Sequence, residues 1–432
     1  MTNLSARYAQ SNDMLNRAEK VIPLGSQTFS KSKVAYPANV APMFITHGDG
    51  CQVWDVDGNQ YTDFVSGLLS VSIGYKNPIV NQAVIDQLQN GVTFSLPHEL
   101  ETQVAEKLVS LIPCAEMVRF GKNGSDATSA AIRLARAFTQ KEHVAVCGYH
   151  GWQDWYIGST TRDLGVPKAT KALTHAFKYN DIDSLKRLFE QLPNDIAAVI
   201  MEPMNVEYPA PNFLQDVQQL CEQYGTLLVF DETITGFRFA LGGAQQLFEV
   251  TPDLATFGKG MANGFPISAV VGRKDVMAKM EDIFYSGTFA GETMSLAATN
   301  AVLDLLTSED VLAHIHQMGT LLITELQQLI EDNNASHFLS VSGHPSWSFL
   351  HIAATEHYDV MTIKSLYLQE MLANGILINA SHNLSYAHKE SDIRQLLAVY
   401  SKVIPTLVEV TNNRSLEQQL QGDVMQPVFK VR

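Results

Sequence analysis

Asp231 and Lys259, 28 residues apart, set the chemistry that this chain can do. Asp231 ends the apolar run Thr226–Phe230, the pattern of a strand buried on both faces of a parallel sheet. A second short run, Asp253–Phe257, delivers Gly258-Lys259-Gly260. The interval is long enough for a crossover between neighbouring strands, and open α/β sheets bind ligands at the C-terminal ends of their strands. An acid and an amine meeting there suit one known arrangement: a lysine in Schiff-base linkage to pyridoxal 5′-phosphate, and an aspartate that keeps the pyridine nitrogen protonated. Either motif alone is more often a cap or a loop. The rest of the chain must therefore supply a phosphate cradle, an aromatic for the ring face and a donor for the 3-oxygen.

Those parts occur in order. Arg119–Arg136 reads RFGKNGSDATSAAIRLAR, in which Gly124 and Ser125 open a helix whose free N–H groups and dipole suit a phosphate. The run His143–Cys147 ends in Gly148-Tyr149-His150-Gly151-Trp152. Tyr149 can lie flat on a ring, the glycines let backbone come close, and Trp152 can wall a pocket. Ile196–Met201 ends in Glu202-Pro203-Met204-Asn205, another strand-end carboxylate with an amide able to donate to a phenolate oxygen. Gly287-Thr288 offers an N–H and a hydroxyl ahead of a long helix. One cofactor accounts for phosphate loop, aromatic, Glu-Pro, Asp-Glu and Lys together.

The elements that must position these residues alternate. Helix Ser125–Thr139, strand His143–Cys147, helix Ile182–Leu192, strand Ile196–Met201, helix Phe213–Tyr224, strand Thr226–Phe230 and strand Ile267–Gly272 predict an α/β fold with a mostly parallel sheet covered on both faces. Ahead of them, Asp57-Gly58 marks a hairpin of Cys51–Asp55 against Gln60–Phe64. After Met294 helices dominate, with a break near Thr307–Glu309, then short strands Ser348–Ile352 and Ile376–Ile378 between helices. The expected organisation is an N-terminal segment, 1–60, packing with a small domain, a large cofactor-binding domain, 61–305, and a smaller α/β domain, 306–432.

Composition narrows the function classes. With a net charge of −15 and no basic run, neither nucleic acid nor an anionic membrane surface is expected as a partner. The four cysteines are scattered without metal or redox spacing, and His314 and His316 are two apart on a helix, so no metal site is expected. The N-terminus lacks the apolar core of a signal peptide and no run reaches the length of a membrane span, which predicts a cytoplasmic protein.

The motifs NGSDATSAAIRLARA, GYHGW, EPMN, DETITGFR, TFGKGMANGFPISAVVGR and SGTFAGETMSLAA resemble the class III pyridoxal-phosphate aminotransferases of fold type I, in the branch of glutamate-1-semialdehyde 2,1-aminomutase. The resemblance covers nearly the whole chain. It implies that Lys259 is the Schiff-base lysine and the proton carrier between substrate α-carbon and cofactor, and that Asp231 partners the pyridine nitrogen. It further implies that Tyr149 stacks on the ring, that Gly124 and Ser125 hold the phosphate, and that Asn205 and Glu202 lie near the 3-oxygen and the ring. Thr288 matches a threonine that reaches the phosphate of the other subunit's cofactor, which implies a homodimer with shared active sites.

The departures from that branch concern substrate. The stretch Gly25–Lys31 has no arginine where the mutases grip a carboxylate; Lys31 falls at about that place, and a lysine cannot form a planar fork. Asn379–His388 is shorter than its counterpart, and Gly291-Glu292-Thr293 replaces Gly-Asn-Pro. Lys31, Trp152, His382 and Asn383 are the candidate substrate contacts. These changes favour an aminotransferase that moves an amino group from an amino donor to the aldehyde or ketone of a small, sugar-like or phosphorylated acceptor. The alternative is an aminomutase of the glutamate-1-semialdehyde type, with a racemase of the same fold third. A non-catalytic scaffold would show erosion at Asp231, Lys259 or the phosphate loop, and none is seen.

Overall fold

The computed structural model describes residues 3–427 and places them in two compact units. One comprises 3–69, 73–77 and 313–427, and the other 70–72 and 78–312. The chain passes between the units at 69/70, 72/73, 77/78 and 312/313, so the first and last changeovers fall nine and seven residues beyond the positions expected from sequence. At the first, the turn Ser66–Leu69 stays with the smaller unit because Ser66 Oγ donates to Asn383 O at 2.6 Å.

The smaller unit opens with three antiparallel strands, β1 (Ile45–Asp49), β2 (Gln52–Asp55) and β3 (Gln60–Asp63). The last two are the expected hairpin, turning at Gly58 with φ of 84°. Leu4, Tyr8, Val40, Val53 and Tyr61 form a core beneath them.

The larger unit holds a seven-stranded sheet. Its strands are β4 (Met117–Gly121), β5 (His143–Cys147), β6 (Thr174–Ala176), β7 (Ile196–Met201), β8 (Leu227–Asp231), β9 (Leu254–Phe257) and β10 (Ser268–Gly272), in the order β4-β10-β9-β8-β7-β5-β6. β6, β5, β7, β8 and β9 run parallel, while β10 is antiparallel to both β9 and β4. The fold is thus α/β with a mixed sheet dominated by parallel strands. Every residue of β7, β8 and β9 is buried, which explains why they are apolar apart from Asp231 and Thr256, which bond each other. The helix Gly124–Thr139 lays Ala127, Ala130, Ala131, Leu134 and Ala135 into this core. Alanines on that face let the helix axis approach the strands closely. Its start is fixed by a capping box: Asn123 Oδ1 accepts the Asp126 N–H at 3.2 Å, and Asp126 Oδ2 accepts the Asn123 N–H at 3.0 Å.

The smaller unit resumes with β11 (Leu339–His344), β12 (Trp347–Ile352), β13 (Ile376–Leu377) and β14 (Ser381–Asn383). β13 adds parallel to β3, and β11-β12-β14 form a separate antiparallel sheet. Helices Val360–Ala373 and Glu390–Asn413 pack with them, and Gly375 follows the first at φ of 78°, as a C-terminal cap requires. Among the described residues no helix is long and apolar enough to cross a membrane.

Candidate active site

In the larger unit four parallel neighbours, β5, β7, β8 and β9, end at one edge of the sheet, with Cys147 opposite Met201, Met201 opposite Phe230, and Asp231 opposite Thr256. The chain that leaves each strand there is Gly148-Tyr149, Glu202, Glu232-Thr233 and Gly258-Lys259. A parallel sheet therefore brings four polar segments together that lie far apart in sequence.

Asp231 is buried and fully partnered. Its Oδ2 lies 2.9 Å from His150 Nδ1, and its Oδ1 accepts from Thr233 Oγ1 at 2.6 Å, Thr256 Oγ1 at 3.0 Å and the Thr233 N–H at 3.2 Å. Burial pushes the carboxyl up, but the hydrogen bonds and charge from His150, with those from Thr233, outweigh it and hold Asp231 below the usual range. His150 is itself buried. Its Nε2 lies 3.1 Å from Cys147 O, and its backbone carbonyl accepts from Thr128 Oγ1 at 2.8 Å. The partnership of His150 with Asp231, 81 positions away, leaves no trace in sequence spacing.

The second carboxylate, Glu202, accepts the Tyr149 N–H at 3.0 Å and the Asn205 side-chain amide at 2.9 Å on Oε2. Burial raises its pKa, and the negative charge of Asp231 raises it further. Gly148, at φ of 109°, makes this possible, since a Cβ there would lie 2.4 Å from Glu202 Oε2. The adjacent Glu232 has a different role: its buried carboxylate accepts the N–H groups of Ala244 and Gln245 at 2.7 and 2.8 Å and ties that turn down.

Lys259 follows β9 at φ of 39°, a left-handed conformation that a lysine adopts only under constraint. Burial lowers the pKa of its amine; the charges of Glu202 and Asp231 pull it back up, and that of buried Arg238 adds to the lowering. Arg238 is itself brought down to about 10 by burial.

Tyr149 keeps 48% of its surface exposed although its edge partner Tyr156 is fully buried. Ser125 Oγ accepts the Trp152 N–H at 3.2 Å, which joins the loop after β5 to the start of the Gly124–Thr139 helix; the Trp152 ring is exposed. Gly151, at φ of 105°, faces this junction, and a Cβ there would lie 2.3 Å from Ser125 Oγ. These residues fit pyridoxal phosphate. They offer a helix N-terminus with a hydroxyl for the phosphate, an open aromatic face, a carboxylate held ionised, and an amine biased toward its neutral form. Replacing Gly151 with alanine is expected to displace Ser125 and weaken cofactor affinity about tenfold, on the order of the strain such a contact imposes, with the circular dichroism unchanged. An absorbance titration of apoprotein with the cofactor measures it.

The other expected site residues lie elsewhere. Thr288 is exposed on the larger unit and lines a groove of about 1000 Å³ with Phe94, Glu101, Arg119 and Tyr285; that lining contains neither Lys259 nor Asp231. Lys31 belongs to the smaller unit, where it borders a cavity of about 330 Å³ with Tyr36, Asp63 and Tyr75.

His382 and Asn383, expected to touch substrate, are interior scaffold residues. Asn383 Nδ2 donates to Val65 O at 2.9 Å, and His382 is fully buried with Nδ1 at 2.9 Å from Ser348 Oγ and Nε2 at 2.8 Å from Tyr400 OH. Burial lowers the His382 pKa from 6.5 to about 3. Below pH 6.5 the unfolded chain therefore binds a proton that the folded chain refuses. Stability is complete above pH 6.5 and falls as pH drops, by at most about 1.4 kcal/mol per unit from this group. Urea melts between pH 4 and 7 are expected to show that slope, and His382→Asn to flatten it.

Known proteins resemble this chain along most of its length. The sequence model of the class-III aminotransferase family matches residues 34–393. The chain is 34% identical over 415 residues to a 3-aminobutyryl-CoA aminotransferase of Cloacimonas acidaminovorans, covering 92% of this chain and 99% of that one. It is 33% identical over 434 residues to a glutamate-1-semialdehyde 2,1-aminomutase of Syntrophomonas wolfei, covering 93% and 100%. Among solved structures, the FumI protein of Sphingopyxis sp. MTA144, in its PLP internal aldimine form, superposes with a TM-score of 0.86 at 26% identity, covering 96% of this chain and 99% of that one.

Proposed function

The chain belongs to the class III aminotransferases, and from that premise we propose that it moves an amino group from an amino donor to the aldehyde or ketone of a small acceptor. Its cofactor is pyridoxal 5′-phosphate. When bound, that group supplies a carbonyl to receive the amino group and a cationic ring that draws electrons from the substrate α-carbon. The chain's own residues do the rest. Asp231, held by His150 and Thr233, keeps a proton on the ring nitrogen. Lys259 anchors the cofactor and carries a proton on Nζ to and from the substrate carbon, a role that its burial-lowered pKa suits. Gly124 and Ser125 bind the phosphate, Tyr149 covers one ring face, and Asn205, oriented by Glu202, donates to the 3-oxygen.

The observation that carries this reading is a buried aspartate kept ionised by a histidine, on the strand beside the one that presents a strained, burial-perturbed lysine. We place the acceptor among small carbonyl compounds with a sugar-like or phosphorylated tail. Lys31 in place of an arginine supports this, because it offers an anionic group a point charge rather than a fork. Thr288 is assigned to the partner subunit's cofactor phosphate in a homodimer. The exposed aromatic rings of Phe284 and Phe289 on either side of it suit burial against a second copy. Four free, buried cysteines accord with a cytoplasmic location.

Incubation of the loaded protein with single amino acids is expected to convert the bound cofactor to its pyridoxamine form and release the matching keto acid. The second reading, an aminomutase, is favoured by likeness to the Syntrophomonas wolfei enzyme along the whole chain. Turnover of glutamate-1-semialdehyde without a donor, and no conversion by any amino acid, would establish it in place of the first.

A further inference from the structure

Two arginines of the larger unit hold backbone carbonyls just before Thr288, and a lysine pairs with a side chain just after it. Arg133, on the Gly124–Thr139 helix, donates from Nη1 to Phe284 O at 2.7 Å, and Arg119, on β4, donates from Nη2 to Tyr285 O at 3.1 Å. Lys122, next to the phosphate cradle, forms an ion pair with Glu292, Nζ to Oε2 2.9 Å, and also reaches Pro266 O at 3.1 Å and Ser295 Oγ at 3.4 Å. The arginine bonds are exposed, and such bonds hold little on their own. The Lys122 and Glu292 side chains are only 23% and 16% exposed, so their pair is screened far less.

Both ends of this pair are anchored. Glu292 caps the helix Thr293–Ser308 by accepting the Ser295 N–H at 3.1 Å. Burial pushes its carboxyl up, but the bonds from Lys122 and Ser295 hold it below the usual range. At the other end the Lys122 N–H donates to Asp126 Oδ2 at 2.9 Å, within the capping box that shapes the cradle. A continuous polar connection thus runs from Asn123–Ser125 to the segment 287–292. Glu292 stands where the aminomutase pattern has an uncharged asparagine, so the charge pair is a feature of this chain.

We propose that the Lys122–Glu292 pair is a positioning device that acts across the dimer. It holds the segment 287–292 of one subunit where Thr288 meets the partner's cofactor phosphate, so that cofactor affinity at each site depends on a charge pair in the other subunit. This inference rests on the proposed dimer with shared sites.

Hybrid dimers of two differently tagged chains test it. One chain carries Lys259→Ala, so borohydride traps cofactor only on the other chain's lysine and reports occupancy without any turnover. Glu292→Gln on the Lys259→Ala chain, in trans to the trapped site, is expected to weaken that site's cofactor affinity about tenfold, as loss of a largely buried charge partner does. The same substitution on the trapping chain, in cis, is expected to change it less than about twofold, because the cis cradle is held by the Asn123–Asp126 capping box and the Lys122 backbone N–H, none of which uses the charge pair. Lys122→Met should repeat the trans effect from the other end, and Lys122→Arg, which keeps the charge, should retain native affinity, which separates positioning from loss of fold. Equal effects in cis and trans, or none in trans, overturn the coupling. A cofactor-binding chain that sediments as a monomer overturns the shared-site reading itself, a different result from a dimer with no trans effect.

Discussion

Replacing Lys259 with alanine is expected to lower turnover by about four orders of magnitude or more while leaving the thermal midpoint unchanged or higher. The two effects separate because Lys259 contributes to chemistry and not to packing. Burial lowers the pKa of its amine, and the backbone beneath it is held at φ of 39°. Alanine at that position inherits the backbone strain but removes the desolvated amine, so folding loses nothing. What disappears is the one amine that can anchor the cofactor and pass a proton at the substrate carbon. Arginine in its place keeps the charge yet stays protonated, and is expected to be as inactive as alanine. Steady-state kinetics, a melting curve and the absorbance of the bound cofactor check this together. A drop in turnover of less than about tenfold would remove Lys259 from the mechanism.

The residues that this prediction uses were the legible ones, for a physical reason. A strand buried on both faces must be apolar throughout, so β5, β7 and β8 declare themselves, and the first polar residue after each marks the sheet's edge. Strand direction leaves no such mark: β10 is as apolar as its neighbours yet runs antiparallel to both of them. The edge strands β4 and β6 are only partly buried, and β6 is also short, so their composition resembles loop. The same limit applies to Ser381-His382-Asn383. In sequence a polar triplet that forms a ligand loop and one that forms β14 look alike, because the partners that distinguish them, Ser348, Tyr400 and Val65, come from elsewhere in the chain. The turn those residues support is illegible as well. Ser66, Gly67, Leu68 and Leu69 all take positive φ, between 48° and 70°, and nothing in Ser-Gly-Leu-Leu asks for that. The turn is imposed by Asp63 Oδ1, which accepts the Val65 and Ser66 N–H groups at 2.7 and 3.1 Å, and by Asn383.

Asp231→Asn is expected to lower turnover by about a thousandfold at every pH, because an amide of the same shape brings no charge to hold the ring nitrogen protonated. His150 separates charge from mere occupancy. In the native site it supplies, after burial, the largest influence on Asp231 and the one that most strongly keeps the carboxyl ionised. His150→Leu leaves the aspartate in place but removes that partner, so burial dominates and the Asp231 pKa rises. The acid limb of the pH–turnover profile is then expected to move to higher pH, with turnover recovering toward the alkaline side, whereas Asp231→Asn shows no recovery. Stability follows the same sign. The folded-state pKa of Asp231 lies below its unfolded value, so its contribution is present above pH 3.8 and is lost as pH falls through the folded value. Removing His150 therefore brings acid unfolding to a higher pH. Identical pH profiles for the two variants would show that the His150–Asp231 contact fixes the loop after β5 and does nothing to the charge.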